Sequence, residues 1–154
     1  MRSPNVSAEQ LGGPAGTPVG ILSIRERDDR GVIRVWGWGE WSPDYVDQHF
    51  AELTRRLQQA RADGQPVRVL VNLQKAGTQS PETLARVRAG AQAAHHADDR
   101  IAMVVESGTI KAQTNRLSQH LNLNHFISET AAVLWLTPDP IWQRPVDSRA
   151  PAMA

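Results

Sequence analysis

The chain has 154 residues, enough for one domain that buries an ordinary core without metal or disulfide staples. It contains no cysteine, which excludes a disulfide framework, a thiolate metal site and a cysteine nucleophile, and which suits a cytoplasmic location. Lys and Arg number 17 against 16 Asp and Glu, a net charge of +1 with no single-sign block, so nothing points to nucleic-acid binding through a basic stripe.

Residues 1–18, rich in Gly, Pro, Ser and Ala, lack the unbroken apolar core of a secretory signal and read as a flexible leader. The domain is expected over 19–136. Within it, 19–24 is a short apolar-leaning run and 32–41 a longer alternating one, rich in β-branched and aromatic residues. The polar stretch Glu26 to Gly31 between them is a hairpin connection, so the two runs should pair antiparallel. Ser42, Pro43 and Asp44 supply an N-cap hydroxyl, a first-turn proline and an acid. The helix they open carries Val46, Phe50, Leu53, Leu57 and Ala60 on one stripe and stops at Gly64.

The nearly continuous apolar run 67–73 has the pattern of a strand covered on both faces or lying centrally in a sheet, and is expected to be the central strand. Ser80, Pro81 and Glu82 repeat the helix-start signature, and Leu84, Val87, Ala91 and Ala94 form the stripe of a second helix, which Asp98 and Asp99 are expected to end. A compact strand follows over 101–105, then a helix bearing Ile110, Thr114, Leu117 and Leu121, with Asn122 and Asn124 read as its breakers. A very short strand around 125–127 leads to a cap at Ser128 and a last helix through Leu136. Residues 137–154 hold Pro138, Pro140, Pro145 and Pro151 and should run as an extended tail, in which Ile141 and Trp142 form an apolar pair suited to docking. The order is β-β-α-β-α-β-α-β-α. It predicts an α/β fold with a mixed, mostly parallel sheet and an N-terminal antiparallel hairpin. No apolar run approaches the roughly 20 residues that span a bilayer.

Chemistry-bearing motifs are sparse. No Gly-x-Ser-x-Gly elbow, phosphate-binding Gly-rich loop or metal-ligand spacing is present, so no catalytic residue, cofactor or metal is assigned. His95 and His96 are adjacent near a helix end and do not share a face, while His120 and His125 lack acidic partners at ligand spacing. Trp36, Trp38 and Trp41 are concentrated on one strand and its exit, in a chain with five Trp. Alternation sends Trp36 and Trp38 to the side of Arg34 and Glu40, opposite Ile33 and Val35. That indole surface should be covered by the chain's own tail with Trp142, by a second copy in a homodimer, or by an apolar small molecule. Gly37 and Gly39 between the indoles leave the opposite side uncrowded, admit a bulge or permit close packing.

Three segments carry a family resemblance. Val69-Leu70-Val71-Asn72-Leu73 resembles the central strand of the SpoIIAA-like, or STAS, domains, in which an acid is common where Asn72 stands. Arg100-Ile101-Ala102-Met103-Val104-Val105 resembles a later strand of that family. Phe126, with the Ala-rich run from Glu129 to Trp135 and Leu136, resembles its closing strand and helix. The resemblance implies a non-enzymatic, anti-sigma-factor-antagonist type of module that binds a protein partner such as an anti-sigma or kinase-like regulator. It also implies that the region from Thr78 to Glu82, at the start of the helix after the central strand, is the phosphosite or partner-facing loop. The family's Asp-Ser-Ser-Gly motif is absent: Ser80 falls on its Asp, and Pro81 and Glu82 on its hydroxyl positions. Ser80 thus has two readings, a helix cap and a phosphosite. A carrier of an apolar small molecule or lipid, with the Trp cluster as a wall, is the alternative function; an enzyme of unidentified chemistry is a further one.

Overall fold

The computed structural model describes residues 20–106 and 108–137. The leader, and the tail with Ile141 and Trp142, lie outside the described residues. Strands β1 (Ile21–Ile24) and β2 (Val32–Gly39) form the hairpin, followed by α1 (Pro43–Ala62), β3 (Arg68–Ala76), α2 (Pro81–Ala94), β4 (Arg100–Val104), α3 (Gly108–Asn115), a 3₁₀ turn (Arg116–Gln119), β5 (Asn122–Phe126) and α4 (Glu129–Leu136). The sheet has five strands in the order β1-β2-β3-β4-β5, with β1 antiparallel to β2 and the other pairs parallel.

Local chemistry sets the elements. Asp28 Oδ1 accepts the N–H groups of Arg30 and Val32, and Gly31 takes the left-handed φ of 81° that turns the hairpin. Ser42, Ser80 and Ser128 cap α1, α2 and α4 through their hydroxyls. Gly64, with φ 76°, follows the end of α1.

Topology decides which face is covered. Parallel strands added one after another in a single direction, each by a right-handed crossover, send every crossover helix to the same side. On that side Ile33, Val35, Val69, Ile101, Met103 and Leu123 meet α1, α2 and α3 in a continuous core. The final helix α4 joins no further strand and folds back on the other side. There Ala132 and Leu136 pack on Val32, Leu70, Ala102 and Val104.

Two sequence expectations are corrected. Asn122 and Asn124 do not break a helix but lie inside β5, which begins earlier than expected. They alternate with buried Leu123, so the period of two overrides the turn preference of asparagine. The preceding helix ends sooner, as Thr114 Oγ1 bonds back to the Ile110 carbonyl and the chain tightens into the 3₁₀ turn. The second helix stops at Ala94 rather than at Asp98 and Asp99, with extended His95 as its C-cap.

Candidate functional site

The start of α2 sits at the carboxyl ends of the parallel strands, where open α/β sheets present their binding crevices. Its loop is held from inside. The Gln79 side chain is buried, accepts the Trp41 N–H (2.9 Å) and donates to the carbonyls of Gly39 (2.9 Å) and Gly77 (2.8 Å). Gly77 N–H also donates to the Gly39 carbonyl at 2.9 Å. Ser80 Oγ accepts the Thr83 N–H (3.1 Å) and donates to Thr83 Oγ1, which donates to the Trp41 carbonyl (3.0 Å). Thr78 and Ser80 themselves are exposed on this braced loop. Hydroxyls on the outside and an amide anchor within make a presenting surface braced by hydrogen bonds.

Beside it, a groove of about 570 Å³ runs between α2 and α3 with the 3₁₀ turn. On the inner side of these elements lies a separate apolar cavity of about 70 Å³ between α2 and the sheet. Gln79, Leu84, Val87, Gln113, Thr114 and Leu117 line both. Arg88 and Arg116 stand on the groove walls, exposed, and among the described residues no carboxylate lines it.

Two histidines line the cavity wall, His49 of α1 and His95 at the end of α2. Both are buried, and neither Nδ1 has a hydrogen-bond partner. Burial, with His95 alongside, pushes the pKa of His49 from 6.5 down to about 4, so its ring is neutral near pH 7. His95 Nδ1 is 3.4 Å from Asp99 Oδ2 but out of hydrogen-bond alignment; that oxygen already takes Arg61 at 2.5 Å and the His96 N–H at 2.9 Å. Burial raises the Asp99 pKa, yet the His95 ring, the His96 N–H and the Arg61 guanidinium outweigh it and hold the carboxyl below its usual range.

The tryptophans divide between the faces. Trp41 is buried on the helix-covered side, its indole N–H shared between the carbonyls of Ile21 (3.2 Å) and Trp38 (3.1 Å), and it lines the cavity. Trp36 is 42% exposed and Trp38 half-buried on the side of Arg34, on the strand that α4 meets at Val32 and Arg34. The expected wall of three indoles therefore does not form. Gly37 explains the separation: a Cβ there would stand 2.9 Å from both Leu73 and the Trp41 ring, so only glycine lets that ring fold beneath the strand.

Next to Trp36 in the sheet, buried Asn72 donates to Glu129 Oε2 at 2.6 Å and accepts the Gln74 N–H, while Arg34 bridges Glu129 (3.2 Å) and Asp28 (3.4 Å). An acid at position 72 would press a second carboxylate onto Glu129, which gives the asparagine a physical reason. His49 and Gln79 were not singled out from the sequence. The signal for His49 was present, since it falls between Val46 and Leu53 on the buried stripe of α1. Nothing local marks Gln79, whose partners Gly39 and Trp41 lie some forty residues away.

Among the described residues no group of three His, Asp or Glu side chains could hold a metal ion, and no helix is long and apolar enough to cross a membrane. No family model and no curated protein matches the sequence. Among solved structures, the chain is similar to an uncharacterized DUF3478-family protein with a SpoIIAA-like fold from Shewanella loihica PV-4. That match has 14% identity over 76% of this chain and 93% of the other, with a TM-score of 0.53. The unphosphorylated anti-sigma factor antagonist SpoIIAA matches at 13% identity over 77% of this chain and 100% of its own, with a TM-score of 0.46. A five-stranded mixed sheet opened by an antiparallel hairpin, with three helices on one face and a closing helix on the other, gives this chain a SpoIIAA-like fold.

Proposed function

We propose that the protein is a non-enzymatic regulatory interaction module that presents the start of α2 to a protein partner, of the anti-sigma or kinase-like regulator class, in a partner-switching pathway. The observation that carries this reading is the braced loop: Thr78 and Ser80 are exposed while Gln79 between them is locked onto the backbone of Gly39, Trp41 and Gly77 at the ends of β2 and β3. A preorganised surface loses little entropy on docking. A phosphate on Ser80 would lie at the positive end of the α2 dipole, but its Oγ would leave the Thr83 cap, so modification would also loosen the first turn. The test places a photo-crosslinking amino acid at Thr78 and, separately, at Trp36 of the full chain in its native cell. The reading expects one dominant protein adduct from position 78, lost when Glu82→Lys is added. Adducts from position 36 alone, or from neither, would contradict it.

A second reading, a carrier of an apolar small molecule, is supported by the cavity under α2. Its wall is Trp41, His49, Leu53 and Met103, with Trp36 and Trp38 on the opposite face. Mass spectrometry of the natively purified protein should release a small molecule in stoichiometric amount; its absence, together with failure of apolar probes to bind, would remove this reading.

A further inference from the structure

We propose that the groove and the cavity form one site for an amphiphilic carboxylate, with its aliphatic chain beneath α2 and its carboxylate at the mouth between Arg88 and Arg116. The inference rests on the carrier reading and adds the chemistry and orientation of the ligand.

The space under α2 arises from its sequence. Gly90 brings the helix against α1, where a Cβ would meet the Phe50 ring at 2.4 Å. Toward the N-terminus, past the buried anchor Thr83, Leu84 and Val87 are only half-buried, and the intervening positions are alanine and arginine. Native interiors are packed nearly without voids, and an apolar cavity that shares its wall with a surface groove suits an occupant that is apolar along its length. The groove falls within the range of about 300–1,000 Å³ of small-molecule sites, and the cavity behind it takes the end of a chain.

Charge fixes the direction. Arg86, on the same helix, engages Asp44, Asp47 and Glu82. Arg88 does not share that face, and neither it nor Arg116 has an ion-pair partner among the described residues. Two cations flank a groove whose other polar side chains are already spoken for: Gln113 holds both the N–H and the carbonyl of Gln79, and Thr114 bonds to Ile110 and His125. An anionic head at the mouth would meet two cations, and an uncharged chain is the part suited to the apolar interior.

Calorimetric titration of the full chain with octanoate, 1-octanol and octylammonium tests this. Octanoate should bind about fivefold more tightly than octanol, and octylammonium most weakly. Arg88→Ala and Arg116→Ala should each weaken octanoate by about threefold to fivefold, the scale of an exposed ion pair, and leave octanol unchanged. Val87→Trp, at the junction of groove and cavity, and Ala91→Leu, inside it, should each abolish binding of octanoate, with circular dichroism reporting the fold. Equal binding of octanol and octanoate, indifferent to both arginine variants, would overturn the carboxylate assignment and leave the carrier reading standing. No binding by any probe, or binding untouched by Val87→Trp and Ala91→Leu in folded protein, would overturn both.

Discussion

The two faces of the sheet are built by opposite means. One is covered by three crossover helices, holds both larger core clusters, and still contains a cavity and two buried histidines without Nδ1 partners. Among the described residues the other is covered by α4 alone, over β3, β4, β5 and the Val32 end of β2, with Trp36 exposed beside an Arg34–Glu129–Asn72 network. Covering a face with helices does not ensure filling it: a helix of small residues such as α2 excludes bulk solvent yet leaves room inside. The short α4, with Ala132 and Leu136 fully buried, fills its smaller half better.

The largest effect that tests this contrast lies at the end of α2. Arg61→Leu leaves the Asp99 carboxylate buried beside His95 without its guanidinium and removes a donor to the Ala94 carbonyl, so it should cost about 4 kcal/mol in urea unfolding. A loss under about 1 kcal/mol would mean that this end of the covered face is open to water.

Acid should act next. The folded pKa of His49, about 4, lies below its ordinary value of 6.5, so the fold favours the neutral ring. Its contribution is complete above pH 6.5 and is lost as the pH falls through 4, amounting to about 3 kcal/mol near pH 4. Stability measured from pH 7 to pH 4 should fall less steeply for His49→Leu than for the wild type. Parallel profiles would place His49 in contact with solvent.

Ser80→Ala should cost about 1 kcal/mol, the usual worth of an N-cap, with an unchanged urea midpoint counting against the cap. The smallest effect belongs to the open face. In a chain ending at Leu136, Trp36→Ser should change stability by less than about 0.5 kcal/mol. If the segment bearing Ile141 and Trp142 covers the indole, as we propose, the cost in the full chain should be larger, whereas cover by a second copy would raise it in both chains. Light scattering separates the two covers, and equal costs in both chains with a monomeric mass would exclude them.

Element order was readable from the sequence because three of the four helix starts carry a cap, Ser42, Ser80 or Ser128, and each strand its own apolar run. β5 was misplaced because asparagine is a local turn signal, while the pairing of Leu123 with Ile101 is a tertiary fact. The candidate site was legible only at its rim. Thr78 and Ser80 stand out through resemblance, whereas Gln79, the groove and the cavity depend on contacts among α1, α2, α3 and the strand ends that no short window contains. The separation of Trp41 from Trp36 and Trp38 was missed for the same reason, since it depends on the fit of Gly37 over the folded Trp41 ring.

The central claim is that the protein works through the edge where α2 begins, and not through the open face of Trp36. Hydrogen–deuterium exchange of the full chain, alone and with the partner captured by crosslinking, tests it most directly. The account predicts added protection over residues 77–88 and none over residues 33–39; protection confined to 33–39 would contradict it.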